Sequence, residues 1–376
     1  MPEYNATSQP AARPAGSRPR AVVYCEANLG EIDGKTANGL VRHSERYEII
    51  SVIDRTQAGR DAGAVLDGTP NGIPCWRDLD EALANADCMP ELFIVGVAPT
   101  SGLLAAHERA VLLDAMSHRL GIVNGLHEFL NDDPEFAAAA AINDVEIFDI
   151  RRPKPKADLH MFDGSILGVT CPRIAVLGTD GAIGKRTTAT ILTKALNRCG
   201  VNAVLVGTGQ TSLIQGAAHG VALDAVPAQF VAGELEAAVV GAFEAEHPDV
   251  IIVEGQGALS HPTYLSSTAV LRGSRPEGVI LQHAPARTAI SDFPAFAMPT
   301  PASEINLIET FAETRVIGLT INHEHMTDSE VSAAIALYEI ELGIPATDAL
   351  TRPLERLTEM VFASFPDLQP TSVAAR

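Results

Sequence analysis

Residues 178–185, GTDGAIGK, have the composition and the position of a phosphate-binding loop. They follow an apolar stretch at 173–177, RIAVL, which predicts a strand, and they precede a segment of helical periodicity that begins at Lys185. In such a loop, successive backbone N–H groups and the N-terminus of the next helix form a positively polarised cradle for a diphosphate. The segment therefore predicts a bound diphosphate, to which the Lys185 side chain adds a point charge.

The residue after this lysine departs from the pattern of loops that bind Mg²⁺ together with a nucleotide. That pattern continues with Ser or Thr, whose hydroxyl holds the metal ion, but here Arg186 follows and the hydroxyls come later, at Thr187 and Thr188. One residue turns a helical side chain by about 100°, so Thr187 does not simply replace the missing hydroxyl. The pattern argues against Mg²⁺-dependent phosphoryl transfer and leaves ATP, GTP, a dinucleotide and coenzyme A open as ligands. The predicted cofactor-binding residues are Gly178, Thr179, Asp180, Gly181, Ala182, Ile183, Gly184, Lys185, Arg186 and Thr187, and no metal site is predicted.

Polar side chains follow other apolar stretches in the same half of the chain. Glu254 comes directly after residues 249–253, DVIIV, and so lies at the carboxyl end of a predicted strand. Ligands bind at this edge of a parallel sheet, and the predicted strands at 202–206 and 278–282 lead to the same edge. We therefore expect a group of candidate functional side chains around the phosphate loop. They are Gln210, Glu254, Gln256, Ser260, His261, His283 and Arg287.

Two further patterns are interpreted as ordinary structure. His323 and His325 form an HxH pair after residues 315–321, but no third metal ligand has convincing spacing, so we expect a solvated loop. Asp54 closes the second strand of the N-terminal half, where a dinucleotide-binding domain carries its ribose-binding acid about twenty residues after the glycine turn. Because GxGxxG is absent from that turn, a structural strand-end aspartate is the preferred interpretation.

Strands and helices alternate along the chain from Ala21, which predicts parallel sheets covered by helices. The predicted fold class is α/β, with an N-terminal Rossmann-like parallel-sheet domain and a C-terminal P-loop NTPase-like doubly wound domain. The predicted strands span 21–25, 47–54, 91–97, 173–177, 202–206, 249–253, 278–282 and 315–321, and helices are predicted at 35–44, 78–86, 102–120 and 134–143. The predicted organisation is a disordered lead-in at 1–20, the Rossmann-like domain at 21–150, a proline- and charge-rich linker at 151–170 and the P-loop-containing domain at 171–376.

Composition and charge exclude several classes of partner. The formal net charge of −20 argues against non-specific binding to nucleic acid or to anionic membranes. No apolar run reaches the ~18–20 residues that span a bilayer, and the first residues lack the apolar core of a signal peptide. Five scattered cysteines without a CxxC pair predict reduced thiols, each a small core residue, in a cytoplasmic protein.

The phosphate loop and the VEG sequence that ends at Gly255 resemble the dethiobiotin synthetase branch of P-loop proteins. The whole chain is more specifically similar to a two-domain family, formerly of unknown function, with a Rossmann-like N-terminal half and a P-loop C-terminal half. The supporting stretches cover most of residues 21–330 and are ISVIDRTQAGRDAG, FIVGVAPTSG, VNGLHEFL, GTDGAIGKRTT, GTGQT, VEGQGALSHP and LQHAPAR. That family includes N-acetyltransferases that act on D-glutamate and related D-amino acids with acetyl-CoA.

The resemblance implies acetyl transfer, with acetyl-CoA as the co-substrate. The phosphates of coenzyme A can bind to loop N–H groups, Lys185 and Arg186 without Mg²⁺, which agrees with the altered loop. A general base must take a proton from the substrate ammonium, and the candidates are Glu254, His261 and His283, of which the first two rank highest. N–H groups of residues 255–258, or the Gln256 amide, are candidates for stabilising the oxyanion. The residues expected to bind the amino-acid substrate are Gln256, Ser260, Arg287 and Gln210.

Two other functions stay open. An ATP- and Mg²⁺-dependent ligase or kinase of the dethiobiotin synthetase type would need metal ligands such as Thr187 with Glu254 or Asp180. A nucleotide-gated binding protein would associate with another protein and turn over no small molecule. We expect small-molecule partners, no nucleic acid, no membrane, and a homo-oligomer, as is common for α/β enzymes of this size.

Overall fold

The structure is a computed structural model that describes residues 18–99 and 101–369. The described chain forms two compact units. Unit 1 contains the chain up to Leu159 and also Gln210–Gly216, whereas unit 2 contains His160–Gly209 and the chain from Ala217 onward. Of the predicted lead-in, residues 1–17 lie outside the described part.

Unit 1 is built around a parallel sheet. Its strands are β1 (Arg20–Tyr24), β2 (Glu48–Ile53), β3 (Cys75–Trp76), β4 (Leu92–Val95), β5 (Gly121–Asn124) and β6 (Ile147–Asp149). Its helices are α1 (Lys35–Arg42), α2 (Ala62–Asp67), α3 (Leu79–Ala84), α4 (Ala106–Ser117) and α5 (Pro134–Asn143). Among the described residues the strand order is β3-β2-β1-β4-β5-β6, with every pair parallel, which is the order of a Rossmann-type sheet.

Local sequence explains the elements of unit 1. Every residue of β4 and β5 is buried, because helices cover both faces of a parallel sheet and its strands become continuous apolar runs. α5 begins where the Asp133 side chain accepts hydrogen bonds from the N–H groups of Glu135 and Phe136, and Pro134 occupies the first helical position. This helix has the bounds predicted for residues 134–143.

Unit 2 is a second doubly wound domain. Its strands are β7 (Arg173–Gly178), β8 (Ala203–Gly207), β9 (His219–Gly220), β10 (Val250–Glu254), β11 (Gly278–His283), β12 (Ala289–Ile290), β13 (Phe293–Ala297), β14 (Arg315–Ile321) and β15 (Ala346–Thr347). Its helices are α6 (Lys185–Arg198), α8 (Val231–Glu246), α9 (Ser266–Ser274), α10 (Pro301–Phe311), α11 (Asp328–Leu342) and α12 (Leu354–Ser364), while α7 (Gln210–Gln215) belongs to unit 1. In the described chain the main sheet has the order β15-β14-β11-β7-β10-β8-β9 and all its pairs are parallel; β12 and β13 form a separate antiparallel pair.

The central strands of unit 2 position the site. β7, β10 and β11 are adjacent and buried along their whole length. One hydrophobic cluster packs residues of β7, β10 and β11 against α8 and α9, and another packs them against α6 and α12. The loops that follow these three strands therefore leave the same edge of a sheet that helices cover on both faces.

Some segments differ from the expectation. No helix is predicted for residues 207–216, but they contain α7, whose Thr211, Ile214 and Gln215 are buried in unit 1. Tertiary packing stabilises this short helix, which has no amphipathic sequence signal. The predicted helix at 102–120 is shortened to α4. None of the helices in the described ranges has the length and apolarity needed to cross a membrane.

The five cysteines are free thiols. Cys25, Cys75 and Cys171 are buried, as expected for small core residues, whereas Cys88 and Cys199 are exposed. The expectation of a core position is therefore wrong for the last two. Both lie beside turns, Cys88 after α3 and Cys199 at the end of α6, where the chain reaches the surface.

Candidate active site

The phosphate loop lies between β7 and α6, as the sequence predicts. Gly184 adopts φ +102° directly before the helix that begins at Lys185, a conformation that glycine adopts without strain. A Cβ on Gly178 would lie 2.9 Å from the carbonyl oxygen of Gln282, so the adjacent strand also requires glycine there. Gly178 and Gly184 of the motif thus each have a specific structural reason.

Consecutive N–H groups of this loop are available to a ligand. Within the described ranges, the backbone N–H groups of Ala182, Ile183 and Gly184 make no hydrogen bond. Ala182 and Gly184 have positive φ values, whereas Ile183 between them does not, and such alternation turns successive N–H groups toward one concavity that suits anions. Lys185 is buried, and its Nζ donates a hydrogen bond to the carbonyl oxygen of Asp180 within the same loop. The loop has the geometry of an anion-binding cradle.

The guanidinium of Arg287 donates hydrogen bonds to the phosphate loop. Its Nη1 donates to Oδ2 of Asp180 and to the carbonyl oxygen of Gly181, both at 3.0 Å. Its Nη2 donates to the carbonyl oxygen of Ala182 at 3.2 Å, and Nε and Nη2 form a bidentate pair with Glu324. A guanidinium has five N–H donors, and these five contacts occupy all of them. The contacts do not support the predicted binding of a substrate carboxylate by Arg287, which stays a prediction.

The Arg287 contacts also explain the orientation of the loop. In a planar trans peptide the C=O and the next N–H point in opposite directions. By binding the carbonyl oxygens of Gly181 and Ala182, the guanidinium turns the N–H groups of Ala182 and Ile183 away from itself. Asp180, which is fully buried, also accepts hydrogen bonds from the N–H groups of Gly181 (2.7 Å) and Ser291 (3.0 Å). The hydrogen bonds of the Asp180 carboxylate therefore stabilise the conformation of the phosphate loop.

The hydroxyls after Lys185 do not all face the same direction. Thr188 is buried and its Oγ1 donates to Oε1 of Gln282 at 2.6 Å; Thr320 donates to the same oxygen. Arg186 and Thr187 are half-buried. The first buried hydroxyl of α6 is thus used to connect this helix to the ends of β11 and β14.

Glu254 lies at the carboxyl end of β10, where the sequence places it. Its side chain is buried, and Oε2 accepts a hydrogen bond from the Thr208 N–H at 3.0 Å. The Thr208 hydroxyl donates to the backbone oxygen of Glu254 at 2.9 Å and accepts a hydrogen bond from Nε2 of Gln256 at 2.8 Å. Glu254, Gln256 and Thr208 therefore form one polar network between the ends of β8 and β10. Thr208 has the same strand-end position as the predicted residues, which is the signal that would have identified it.

His261 lies in the loop after β10. Its Nδ1 accepts hydrogen bonds from the N–H groups of Thr263 and Tyr264, both at 3.2 Å. Its ring stacks on the Tyr264 ring at 4.3 Å between centroids and contacts Phe293 edge-on at 5.8 Å. Burial lowers the pKa of His261, although the negative charges of Asp180 and Asp292 oppose the shift. The imidazole is therefore neutral at pH 7.

His283 ends β11 next to the loop. Its Nδ1 lies 2.8 Å from Oγ1 of Thr179, and its ring contacts Tyr338 edge-on at 5.6 Å. Burial lowers the pKa of His283 to about 4. A neutral imidazole therefore anchors Thr179, the second residue of the loop.

Ser260 is held by a carboxylate that the sequence did not single out. The buried Glu304 accepts hydrogen bonds from the Ser260 hydroxyl and from the N–H groups of Ser260 (3.2 Å) and Leu259 (3.0 Å). Burial raises the pKa of Glu304. These contacts fix the loop after β10 and do not support a substrate-binding role for Ser260, which stays a prediction. Glu304 lies within α10, so no strand-end pattern points to it.

Gln210 begins α7 and is buried in unit 1, where a Cβ placed on Gly125 would lie 3.3 Å from its Cγ. The other predicted site residues of the loops belong to unit 2. The substrate-binding role of Gln210 stays a prediction.

The two histidines of the HxH pair lie in different environments. Nδ1 of His323 lies 2.6 Å from Oδ2 of the buried Asp348, which also accepts a hydrogen bond from the Thr351 hydroxyl at 2.8 Å. His325 is exposed. Over the described ranges, no three His, Cys, Asp or Glu side chains converge in a way that could hold a metal ion. In unit 1, Asp54 accepts hydrogen bonds from the N–H groups of Leu29 (3.0 Å) and Thr56 (2.9 Å), which agrees with the structural interpretation of this residue.

Comparisons with known proteins agree with this architecture. Residues 55–153 match the Rossmann-like domain of a family of unknown function, DUF1611, and residues 160–358 match the P-loop domain of the same family. A relative from Tritonibacter scottomollicae named D-glutamate N-acetyltransferase is 31% identical over 280 residues, 72% of this chain and 80% of the relative. A relative of the same name from Pseudoalteromonas sp. is 29% identical over 265 residues, 69% of this chain and 77% of the relative.

A solved structure shares the fold over nearly the whole chain. The crystal structure of a DUF1611 family protein from Anabaena variabilis superposes with a TM-score of 0.83 at 30% identity, and the alignment covers 92% of this chain and 100% of that one. The predicted α/β fold class and the predicted resemblance are both confirmed. The chain therefore belongs to the DUF1611 family, in which a Rossmann-like domain precedes a P-loop domain.

Proposed function

We propose that the protein is an N-acetyltransferase that transfers the acetyl group of acetyl-CoA to the amino group of a D-amino acid, with D-glutamate as the substrate. The similarity to two relatives named D-glutamate N-acetyltransferase, over 72% and 69% of this chain, carries the proposal. The phosphate loop supports it, because Arg186 stands where a metal-binding hydroxyl would otherwise follow the lysine.

The residues of the loop fit the phosphates of coenzyme A. The N–H groups of Ala182, Ile183 and Gly184, with Lys185 and the N-terminus of α6, suit a diphosphate. Arg186, half-buried beside them, is proposed to bind a further phosphate oxygen. Acetyl-CoA supplies an acetyl group that is already activated as a thioester, with a thiolate as leaving group.

Glu254 is the general base in this proposal. Its carboxylate lies at the carboxyl end of β10, where the Thr208 N–H orients it. It accepts a proton from the substrate ammonium, the freed amine forms a C–N bond with the acetyl carbon, and the C–S bond breaks. That proton passes to the departing sulfur, which leaves coenzyme A as a thiol and restores the carboxylate, while the second proton that the nitrogen loses on forming the amide is released to water. One amide N–H of Gln256 donates to the Thr208 hydroxyl. Its other N–H and its carbonyl oxygen are proposed to bind the amino acid.

His283 has a supporting part in this proposal. A pKa lowered by burial to about 4 keeps its imidazole neutral, and the ring is bonded to Thr179. We assign it to holding the loop against β11. We also propose that the protein works in the cytoplasm as a homo-oligomer, for which light scattering of the purified protein measures the mass.

The first experiment is thiol release on mixing the protein, acetyl-CoA and D-glutamate, with L-glutamate in parallel and N-acetylglutamate identified by mass spectrometry. We expect thiol and N-acetyl-D-glutamate in equal amounts with the D-isomer. Product identification matters because the exposed Cys88 and Cys199 react with thiol reagents themselves.

Parallel samples with ATP and Mg²⁺ test the competing function. If both glutamate isomers are silent and ATP with Mg²⁺ releases phosphate, the protein is a ligase or kinase and the acetyltransferase proposal is wrong. If neither reaction occurs but a nucleotide promotes association with another protein, the binding-protein alternative replaces it.

A further inference from the structure

One ring nitrogen of His261 accepts hydrogen bonds from the backbone, whereas the other has no hydrogen-bond partner in the part of the chain that the structure describes. Two backbone N–H groups, from Thr263 and Tyr264, donate to Nδ1. The Nε2 atom is buried and has no hydrogen-bond partner among the described residues. The His261 side chain as a whole is only 6% exposed. A buried polar atom without a partner costs stability, so this nitrogen requires a functional explanation.

The hydrogen bonds determine the tautomer of this imidazole. Nδ1 accepts from N–H groups and therefore carries a lone pair, so the proton of the neutral ring must be on Nε2. Nε2 is then a donor and has no lone pair with which to accept a proton. The geometry makes His261 a hydrogen-bond donor and not a general base.

The ring on which His261 stacks, that of Tyr264, lies beside both the phosphate loop and the loop that follows β10. A Cβ placed on Gly257 would lie 2.8 Å from Tyr264, and one placed on Gly181 would lie 4.0 Å from the same ring. Tyr264 therefore contacts both loops, and His261 stacks directly on it. The Tyr264 hydroxyl donates to Asp292 at 2.6 Å, which fixes the ring that supports the imidazole.

We propose that the Nε2–H of neutral His261 donates a hydrogen bond to the carbonyl oxygen of the acetyl thioester, the oxygen that becomes an oxyanion during acetyl transfer. This inference rests on the proposed acetyltransferase function. In the proposed function the phosphates have the loop N–H groups and Lys185 as partners. For the thioester oxygen, the sequence offers the N–H groups of residues 255–258 and the Gln256 amide as candidates, and His261 adds a side-chain donor that the protein leaves without a partner within the described ranges. A donor aimed at the atom on which charge develops stabilises the transition state more than the bound substrate.

The tautomer can be measured without turnover. Long-range ¹H–¹⁵N spectra of protein with ¹⁵N-labelled histidine, assigned by comparison with His261→Gln, should show His261 neutral at pH 7 with its proton on Nε2. A proton on Nδ1, or a doubly protonated ring, would overturn the proposal. This arm does not depend on any substrate, so its failure is distinct from a failure of the acetyltransferase proposal.

The acceptor is identified by adding acetyl-CoA and, separately, coenzyme A, which has the same phosphates but no acetyl carbonyl. We expect acetyl-CoA to shift the Nε2–H resonance and coenzyme A to leave it nearly unchanged. Equal shifts with both would assign the acceptor to a phosphate or pantetheine oxygen and would contradict the proposal. So would the absence of a shift with acetyl-CoA at saturating concentration.

Two substitutions of His261 distinguish a hydrogen-bond donor from a general base at this position. The Gln side chain in His261→Gln carries an amide N–H close to the position of Nε2, whereas His261→Phe keeps the ring stacked on Tyr264 but removes the donor. We expect kcat to fall by about 10²–10³-fold in His261→Phe and by no more than about tenfold in His261→Gln. The fall of activity toward low pH, the acid limb of the pH profile, should persist in His261→Gln and disappear in Glu254→Gln. Equal losses in the two His261 variants, with loss of the acid limb in both, would make His261 the base.

Discussion

Arg287 uses all five of its N–H donors within the protein, on Glu324, Asp180 and two carbonyl oxygens of the phosphate loop. Its ion pair with Asp180 is buried, since the side chain of Asp180 is fully inaccessible. A lysine can supply the charge but not the planar fork that serves several acceptors at once. We therefore expect the guanidinium to affect ligand binding through the conformation of the phosphate loop.

Replacing Arg287 with lysine tests this positioning role. Arg287→Lys should raise the KM for acetyl-CoA by about 10- to 100-fold, equivalent to about 1.5–3 kcal/mol for lost charged hydrogen bonds, with a much smaller change in kcat. Steady-state kinetics with varied acetyl-CoA measures the split. Arg109→Lys is the matched control, because Arg109 binds three carboxylates in unit 1 and should leave this KM unchanged. A rise in the KM for the amino acid alone would instead support substrate binding by Arg287.

His283 makes the stability of unit 2 depend on pH. Its pKa in the folded protein is about 4, below the value of about 6.5 in an unfolded chain. The unfolded state therefore binds a proton that the folded state does not, so stability is complete above about pH 6.5 and falls by up to about 3 kcal/mol as the pH drops toward 4. His283→Asn should flatten this dependence in urea unfolding between pH 4 and 7. His247→Asn, at an exposed left-handed position, should not; an unchanged slope in His283→Asn would refute the assignment.

At the scale of elements, the turn from β7 into α6 depends on backbone conformation as much as on side chains. Gly184 directly precedes the helix at φ +102°, and Gly200 lies just beyond its C-terminal cap, Cys199, at φ +86°. Both ends of α6 thus require a residue that tolerates a positive φ. Only the first end belongs to the loop whose N–H groups suit a phosphate.

Gly184→Ala and Gly200→Ala form a matched pair on this helix. Each should cost about 1–3 kcal/mol of backbone strain and lower the Tm of unit 2 by about 2–4 °C per kcal/mol. In addition, Gly184→Ala should weaken acetyl-CoA binding in calorimetric titration by about tenfold or more, because rotated N–H groups no longer converge on the phosphates. Equal binding by the two variants would mean that the loop conformation does not matter for the ligand.

At the scale of the whole molecule, the chain leaves unit 2 after Gly209, contributes α7 to unit 1 and returns at Ala217. Within unit 1, Ile214 joins the hydrophobic core, and the backbone oxygen of Gln215 accepts hydrogen bonds from the N–H groups of Glu45 (2.8 Å) and Arg46 (3.2 Å). The Thr211 hydroxyl lies 3.1 Å from that of Thr36. Unit 1 is thus completed by a segment from the P-loop half of the sequence.

Ile214→Ala should therefore destabilise unit 1, although residue 214 lies far along the chain. We expect a loss of about 2–5 kcal/mol, as for other fully buried side chains cut back to alanine. Hydrogen exchange should show faster exchange in β5 and α1. Leu213→Ala, at a half-buried position of the same helix, should have a smaller effect. Faster exchange confined to unit 2 would contradict the assignment of α7 to unit 1.

Local patterns were enough to predict the parts of the protein that depend on neighbours along the chain. Residues 173–185 predict strand, loop and helix because apolar runs, glycines and the lysine occur in the order that a phosphate loop requires. The strand that ends at Glu254 and the helix at 134–143 are also predicted from local sequence patterns. The alternation of such segments leads to the α/β class, since a strand buried on both faces needs helices on both sides.

Only the tertiary structure decided which groups each side chain contacts. Arg287 and Ser260 were predicted to bind the substrate, but their donors are taken up by the phosphate loop and by Glu304, residues remote in sequence whose approach depends on strand order. The tautomer of His261 depends on two backbone N–H groups whose direction follows from the folded loop. The helix at Gln210–Gln215 forms because unit 1 buries it. Long-range packing and hydrogen-bond direction leave no periodic trace in an amino-acid sequence, and this is why the fold could be predicted while the roles of these side chains could not.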